Sequence, residues 1–513
     1  MAGDALTEVC DEVVARYLAH QGHKHVLEAF QQAVQREDLS SDQFKDVARD
    51  LRTLVEQSQS IASAQALARL QLEETDADDL DDLVVRAQAA GTAEYTLDKT
   101  IEHLHHSNLL SIRAVQVPER CGTAWTLREG IATTGADKLI VFSEPHTGEV
   151  FAILDKPRQP TPSGAVGHDS AVLDVSQNPK CARYVASAGM DGRVVVWDLV
   201  GRAMKLTQHV AQPVQTLKEH ARFVVRVAHS PCGTFLASAG YDKKVVVYRA
   251  MRHGDDLTYT KVHELALAAN PEAMVFVVGP SAPPAPGQEL SVPRRAWLVF
   301  SERGRVELTY VALPAPDLEE GAAPDFTTVK YNTNPDPDDH HAGYSLLDLS
   351  VHPSGRYLCA QTGDHAALQR ESPMGPSVSI GGTTLGDTLS RLLVLPLFSS
   401  FRRLTLWTEA PSSTFSNPRH AWRAEGDAAW VTGEDGVLRL VGLDGEIKAR
   451  VPAHGQLPPI DSTSQRVRDA AAAAAWVRGG NTVIKGVAVL PDGGVASCGF
   501  DRTVRVLRAS VSS

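Results

Sequence analysis

The spacing of apolar residues changes once along the chain, close to residue 105. Before that point apolar residues recur at three- and four-residue steps, as in Val13, Tyr17 and Leu18, and this period predicts amphipathic helices. After residue 107 the period falls to two, and short β-branched runs alternate with Gly, Asp, Asn and Pro turns. The pattern therefore predicts a small α-helical N-terminal region followed by a long all-β region.

The helical part divides into a hairpin over residues 1–40 and a linker over residues 41–106. The linker opens with a helical stretch in which four apolar residues step by three and four. These are Phe44, Val47, Leu51 and Leu54. The spacing fits a short coiled coil, but Ser58 weakens the seam, and a helix packed on its neighbours fits equally well.

An acidic segment, EETDADDLDD, follows at residues 73–82. Charge at this density favours a solvated linker. The alternative is an acidic docking segment with apolar anchors, which would be Leu80, Leu83, Val84 and Val85.

The β region is built from repeats. One unit runs from Gly167 to Leu199, a second from Glu219 to Ala250, and a third from Ile484 to Ala509, with degenerate copies starting at Ile131 and Ala428. A repeat of this length, with short strands and turns, is typical of solenoids and propellers.

The repeats resemble the WD-repeat β-propeller family. Gly167-His168 and Trp197-Asp198 supply both ends of its signature in one unit. The resemblance implies a structural hydrogen-bonded network of His, Ser, Asp and an aromatic residue inside each blade. Its members would be His168, Ser187, Asp191 and Trp197, then His220, Ser238, Asp242 and Tyr248. Because the same set recurs from blade to blade, we interpret it as part of the fold and not as a catalytic triad.

Counting units predicts an all-β seven-bladed propeller over residues 107–513, with insertions at 364–390 and 455–480. The last unit has only three strands, and a closed ring needs a fourth. The strand Ser111–Val117 precedes blade one without an evident partner. We therefore expect this strand to complete blade seven.

The N-terminal hairpin resembles the LisH motif, through Val13, Val14, Tyr17, Leu18, Gly22 and Phe30. His23, the Val26-Leu27 pair and Ala33 depart from the family pattern. The resemblance implies a homodimer, and the apolar stripe is too large for two helices to cover alone. The predicted dimerisation residues are Val14, Tyr17, Leu18, Leu27 and Phe30.

Net charge, apolar runs and cysteine spacing exclude several functional classes. The net charge of −12 argues against a direct nucleic-acid binder. The N-terminus has no signal peptide, no apolar run is long enough to span a bilayer, and six scattered cysteines form no C-x-x-C pair. We expect an intracellular protein, cytoplasmic or nuclear, without membrane insertion.

Neither a metal nor a cofactor is expected. His103, His105 and His106 before the propeller are interpreted as a polar linker, and the 336–341 cluster, DPDDHH, as a solvated loop without calcium-binding spacing. We found no catalytic motif, so we expect that the protein is not an enzyme.

The residues before the turn aspartates are predicted to form a partner-binding face at the top of the propeller. Its members are Met190, Tyr241 and Phe500, with Arg222 and Phe223 on the same side. Alternatively, Tyr241 and Phe500 pack inward on neighbouring loops.

The sequence thus favours a non-enzymatic scaffold that dimerises and recruits proteins. A substrate-recruiting or scaffold subunit of a ubiquitin ligase is the alternative, although Val200 stands where cullin-adaptor-binding propellers carry Arg. A subunit of a transcription, chromatin, splicing or dynein-regulatory complex is the second alternative.

Overall fold

The computed structural model describes residues 80–509, with gaps at 91–93, 122–123, 160, 162, 201–210, 255, 281–293, 315–325, 335–343, 364–388, 401, 413–416 and 456–481. The predicted hairpin at 1–40, its dimerisation residues and the predicted helix at 41–74 lie outside the described residues. So do the cluster at 336–341 and nearly all of both predicted insertions.

Twenty-eight strands form seven four-stranded sheets in this part of the chain. The first strand is β1 (Tyr95–Ile101). Blade one contains β2 (Leu109–Cys121), β3 (Ala124–Gly135), β4 (Ile140–Ser143) and β5 (Val150–Leu154). Blade two contains β6 (Val172–Gln177), β7 (Tyr184–Gly189), β8 (Val194–Asp198) and β9 (Gln212–Leu217). Blade three contains β10 (Val224–His229), β11 (Phe235–Gly240), β12 (Lys244–His253) and β13 (Asp256–Ala266).

The remaining blades repeat this meander. Blade four contains β14 (Pro271–Pro280), β15 (Arg294–Glu302), β16 (Glu307–Ala312) and β17 (Thr328–Asn332). Blade five contains β18 (Ser345–Val351), β19 (Tyr357–Gly363), β20 (Leu389–Pro396) and β21 (Leu404–Pro411). Blade six contains β22 (His420–Trp422), β23 (Ala428–Val431), β24 (Val437–Gly442) and β25 (Ile447–Pro452). Blade seven contains β26 (Ile484–Val489), β27 (Val495–Gly499), β28 (Val504–Ala509) and β1.

The middle strands of each blade are buried on both faces. Residues of β7, β8 and β11 are uniformly buried, which explains why these strands appear in the sequence as continuous apolar runs. Apolar clusters lie between successive blades, as where Tyr184 and Val196 of blade two pack with Val227 and Tyr248 of blade three. The seven-bladed architecture expected from the repeats is confirmed.

The strand that closes the ring is not the predicted one. β1 pairs antiparallel with β28, from Tyr95 opposite Ala509 to Ile101 opposite Val504. The segment Ser111–Val117 belongs instead to β2, which pairs with β3 from Leu109 through Cys121. The short turn between β2 and β3 makes a local hairpin, and consecutive strands usually pair in this way, so the segment belongs to blade one and not to blade seven. The propeller therefore starts at Tyr95 and not at residue 107.

A helix occupies residues 80–89, just ahead of β1. Leu80, Leu83 and Ala87 are buried in one apolar cluster with Tyr357 of blade five and Trp422 of blade six. Of the acidic segment at 73–82 the structure describes only residues 80–82, in which Leu80 is buried while Asp81 and Asp82 are exposed. Of the four anchors proposed for a docking segment, Val84 is partly buried against the same cluster, while Val85 is exposed.

Candidate functional site

Blade two contains a continuous chain of buried hydrogen bonds. The His168 ring places Nδ1 3.1 Å from the Asp191 carboxylate and Nε2 2.8 Å from Ser187 Oγ. The Trp197 indole N–H donates to the same Ser187 oxygen at 2.7 Å. A histidine protonated on Nδ1 satisfies every member, since it donates to Asp191 and accepts from the serine hydroxyl.

Blade three repeats the arrangement. His220 lies 2.9 Å from Asp242 and 2.8 Å from Ser238, and the Tyr248 hydroxyl lies 3.4 Å from the Ser238 hydroxyl. Ser187 and Ser238 have no exposed surface, so a substrate cannot reach either hydroxyl in this conformation. The geometry is that of a cross-brace between strands, because it ties the loop before the first strand to the turn between the second and third.

Two further histidines complete the same network, and sequence reasoning missed both. His105 lies 2.9 Å from Asp137 and 3.0 Å from Thr133, and it is buried, so its assignment to a polar linker is wrong. His454 lies 3.0 Å from Asp501 and 2.9 Å from Ser497 in blade seven.

The other two histidines of the 103–106 segment have different roles. His103 Nε2 bonds to the Gly148 carbonyl at 2.9 Å, and the backbone N–H of His106 donates to Asp137 at 2.9 Å. The segment is therefore part of blade one's bracing. The interpretation as a linker does not hold for it.

The turn aspartates of blades one, two and seven stay ionised to low pH. Burial alone raises the pKa of Asp137, Asp191 and Asp501. Hydrogen bonds from the paired histidine and from backbone N–H groups outweigh burial, so each pKa lies below its usual range.

Where the structure describes the turn between the second and third strands of a blade, that turn lies at the same end as the start of the first strand. In blades one, two, three and seven the residue before the turn aspartate donates its backbone N–H across to that start, as Met190 does to Ala171 and Tyr241 to Phe223, both at 2.9 Å. We call this end the top face. The turn positions on it are Ala136, Met190, Tyr241, Arg303, Glu434 and Phe500.

The predicted partner-binding residues all lie on the top face, with different exposure. Met190, Tyr241 and Phe500 are half-buried, while Arg222 and Phe223 are exposed, Phe223 by 42%. The Tyr241 hydroxyl lies 3.4 Å from the Glu272 carboxylate, and the Lys485 ammonium lies 5.4 Å from the centre of the Phe500 ring. Inward packing therefore accounts for part of the Tyr241 and Phe500 surface, and Phe223 is the most accessible aromatic of the set.

The first strands of the blades converge on a central channel that opens at the top face. Charged side chains line its upper part: Arg113, Asp174, Arg226, Asp348, Arg419 and Lys485. Arg113 pairs with Asp174, and Arg419 pairs with Asp348, each at 3.0 Å. Sequence reasoning missed these residues because each repeat contributes one or two of them and none forms a local motif.

The two units with complete networks also match a family model. The model of the WD domain, G-beta repeat, matches residues 161–198 and 211–249, which contain the four strands of blade two, the first two strands of blade three and part of its third. The chain contains WD40 repeats, and the residues that the structure describes form a seven-bladed propeller. A comparison with curated proteins finds no match. WD40 propellers are generally non-catalytic scaffolds, and protein partners are typical of the fold.

The WD40 propeller shows neither a metal cluster nor a membrane-spanning helix in its described part. No group of three or more His, Cys, Asp or Glu side chains with metal-binding geometry occurs among the residues described. Within the same residues no helix has the length and apolarity needed to cross a bilayer.

Proposed function

We propose that the WD40 propeller is a non-enzymatic scaffold that recruits partner proteins on its top face. The observation that carries the proposal is Phe223, an exposed aromatic next to the exposed Arg222 on the top face. Aromatic residues and arginine are enriched at the centres of interfaces.

The top face is also pre-organised for binding. The Phe223 carbonyl accepts the Tyr241 N–H, and the adjacent His220–Asp242 bond fixes the loop that carries both Arg222 and Phe223. A loop held in this way loses little conformational entropy when a partner docks, which favours affinity.

The test compares partners that co-purify with the wild type and with Phe223→Ala. Trp407→Ala is the matched control, because Trp407 is an exposed aromatic on the outer strand of blade five, away from the top face. We expect Phe223→Ala to lose partners that Trp407→Ala retains, by about tenfold or more in recovery. Equal recovery from both variants would contradict binding at the top face.

The second half of the proposal is a homodimer formed by residues 1–40. Its support is the apolar stripe of Leu18, Leu27 and Phe30 in the sequence. Light scattering of the full chain should give twice the monomer mass, and Leu18→Asp with Phe30→Asp should give the monomer mass with an unchanged propeller melting transition. A wild-type monomer at micromolar concentration would rule the dimer out.

A subunit of a ubiquitin ligase remains the alternative within the scaffold role. In this chain Asp198 of the Trp-Asp pair is buried and bonded to Arg183 at 2.7 Å and 2.6 Å, and Val200 follows it. Direct docking of a cullin adaptor at this position is therefore not supported.

A further inference from the structure

Two cations in the central channel form no ion pair among the described residues. Arg226, on the first strand of blade three, is only 8% exposed, and the hydrogen bond recorded for its guanidinium goes to the Val225 carbonyl at 3.0 Å. Lys485, on the first strand of blade seven, has the Phe500 ring as its close neighbour. Both side chains line the same cavity at the top of the channel.

The carboxylates of that cavity are already paired with other residues. Asp174 is bonded to Arg113 and also accepts the Val227 N–H at 3.3 Å, and Asp348 is bonded to Arg419. The lining therefore carries four Arg and Lys side chains and two carboxylates, with His420 3.1 Å from Asp348. In a chain whose net charge is −12, this cavity is a local excess of positive charge.

Glu272 adds no counter-ion to the pair. This carboxylate is 2% exposed and lies 2.5 Å from the Arg303 guanidinium, which holds it on the blade-four side. Keeping a buried cation without a partner costs free energy, since the lost hydration is not replaced. A buried cation that destabilises the fold in this way is a candidate for binding a ligand of opposite charge.

We propose that the Arg226–Lys485 pair binds an anionic side chain, carboxylate or phosphoryl, presented by a segment of a partner protein docked on the top face. The inference rests on the proposed scaffold function and adds the chemistry of the recognised group. An arginine fork gives two parallel hydrogen bonds to either oxyanion, and the lysine adds a point charge. Phe223 and Phe500 beside the entrance provide the apolar contacts that a peptide needs around its charged residue.

The experiment uses the full chain and three pools of degenerate peptides, matched except that the central residue is phosphoserine, glutamate or serine. The wild type should retain the phosphoserine or the glutamate pool about tenfold or more above the serine pool, and the better pool identifies the source of the anion. Arg226→Gln and Lys485→Gln should each abolish the difference. Arg450→Gln, which changes an exposed arginine on the outer strand of blade six, should preserve it.

Melting temperatures separate binding from folding. Because Arg226 has no counter-ion, Arg226→Gln should melt at the same temperature as the wild type or higher, and Arg226→Lys should recover part of the retention. Equal retention of all pools by the wild type, or retention that both glutamine variants preserve, would overturn the inference.

The dependence on pH gives a readout that a structural role would not produce. Burial lowers the pKa of Lys485 to about 8, helped by Arg226 and opposed weakly by Cys498, Glu434 and Glu272. Burial raises the pKa of the Cys498 thiol, so it is neutral over this range. Since only the protonated amine attracts an anion, retention should fall up to about tenfold between pH 7 and pH 9, and Lys485→Arg should remove this dependence. An unchanged slope in Lys485→Arg would exclude the lysine from the site.

Co-purification of partners with two variants distinguishes failure of the scaffold proposal from failure of the anion-site proposal. Partners lost in Phe223→Ala but retained in Arg226→Gln would leave the scaffold function intact and remove the anion site. Partners retained in both variants would remove both.

Discussion

Blades one, two, three and seven differ from blade six in how the turn between the second and third strands is held. In the first group a buried histidine joins the turn aspartate to a serine or threonine, as His454 does with Asp501 and Ser497. In blade six the turn aspartate, Asp435, is bonded to Arg439 at 3.0 Å and is partly exposed. The comparison shows that one fold tolerates two kinds of turn, one braced inside the blade and one held near its surface.

Blades four, five and six are also joined to one another by side-chain hydrogen bonds. Arg402 of blade five donates to the Tyr344 hydroxyl, which also lies 2.8 Å from Thr333 at the end of blade four. Ser350 of blade five lies 2.6 Å from His420 of blade six, and the 80–89 helix covers both of these blades. Blades five and six in this half are therefore held by their neighbours and by the helix as well as by their own strands.

The largest loss of stability should come from removing β1, the strand from the start of the propeller that completes blade seven. Deleting residues 1–79 should leave a cooperatively melting propeller, whereas deleting 1–105 removes β1 and His105 together. The exposed edge of β28 should then make the protein aggregate or melt at least about 10 °C earlier. Equal melting of both truncations would show that β1 contributes little to closure.

The helix offers a way to test how far blades five and six depend on an external element. Leu83→Ala removes a side chain that is 6% exposed and should lower the free energy of unfolding by about 2–5 kcal/mol. Val85→Ala is the control, since Val85 is 60% exposed and should change it by less than about 0.5 kcal/mol. Denaturant titration measures both, and similar values would mean that the helix is not a structural part of this half.

An Asp→Asn substitution compares the histidine-braced turn of blade seven with the arginine-bonded turn of blade six. The Asp501 side chain is 3% exposed and the Asp435 side chain 32%. Asp501→Asn places an amide N–H₂ against backbone N–H donors and should cost about 2–3 kcal/mol, while Asp435→Asn should cost less than about 1 kcal/mol. Comparable losses would show that the histidine brace adds nothing to its blade.

A smaller effect should follow acidification. Asp137, Asp191 and Asp501 have folded-state pKa values below their usual range, so their contribution is complete above the unfolded pKa near 4 and is lost as the pH falls further. Hydrogen exchange, corrected for intrinsic rates, should show blades one, two and seven losing protection below about pH 4 before blade six. Simultaneous loss in all blades would contradict the distinction.

The repeats made the seven blades predictable from sequence, but two positions were not recognised. His168 precedes Val172, His220 precedes Val224 and His105 precedes Leu109 at the same spacing. Applying that spacing to His105 would have assigned Leu109–Cys121 to blade one and left Tyr95–Ile101 as the closing strand. His454 could not be found in this way, because residues 456–481 separate it from its strand.

The channel charges were beyond sequence reasoning for a different reason. Arg226 and Lys485 are far apart in the chain and meet only because the ring closes. That neither forms an ion pair with any residue the structure describes is a property of three-dimensional packing, which no local pattern encodes.

The pairing of β1 with β28 also sets the order of events at the ribosome. Tyr95 emerges early, and its partner Ala509 is synthesised roughly 400 residues later, an interval of about 20 to 80 seconds at ordinary translation rates. The search that joins such distant segments is slow, because loop-closure entropy must be overcome before the pairing stabilises anything. Blades one to six therefore have time to form as an open arc while β1 is still unpaired. The ring is completed only after β28 has been synthesised.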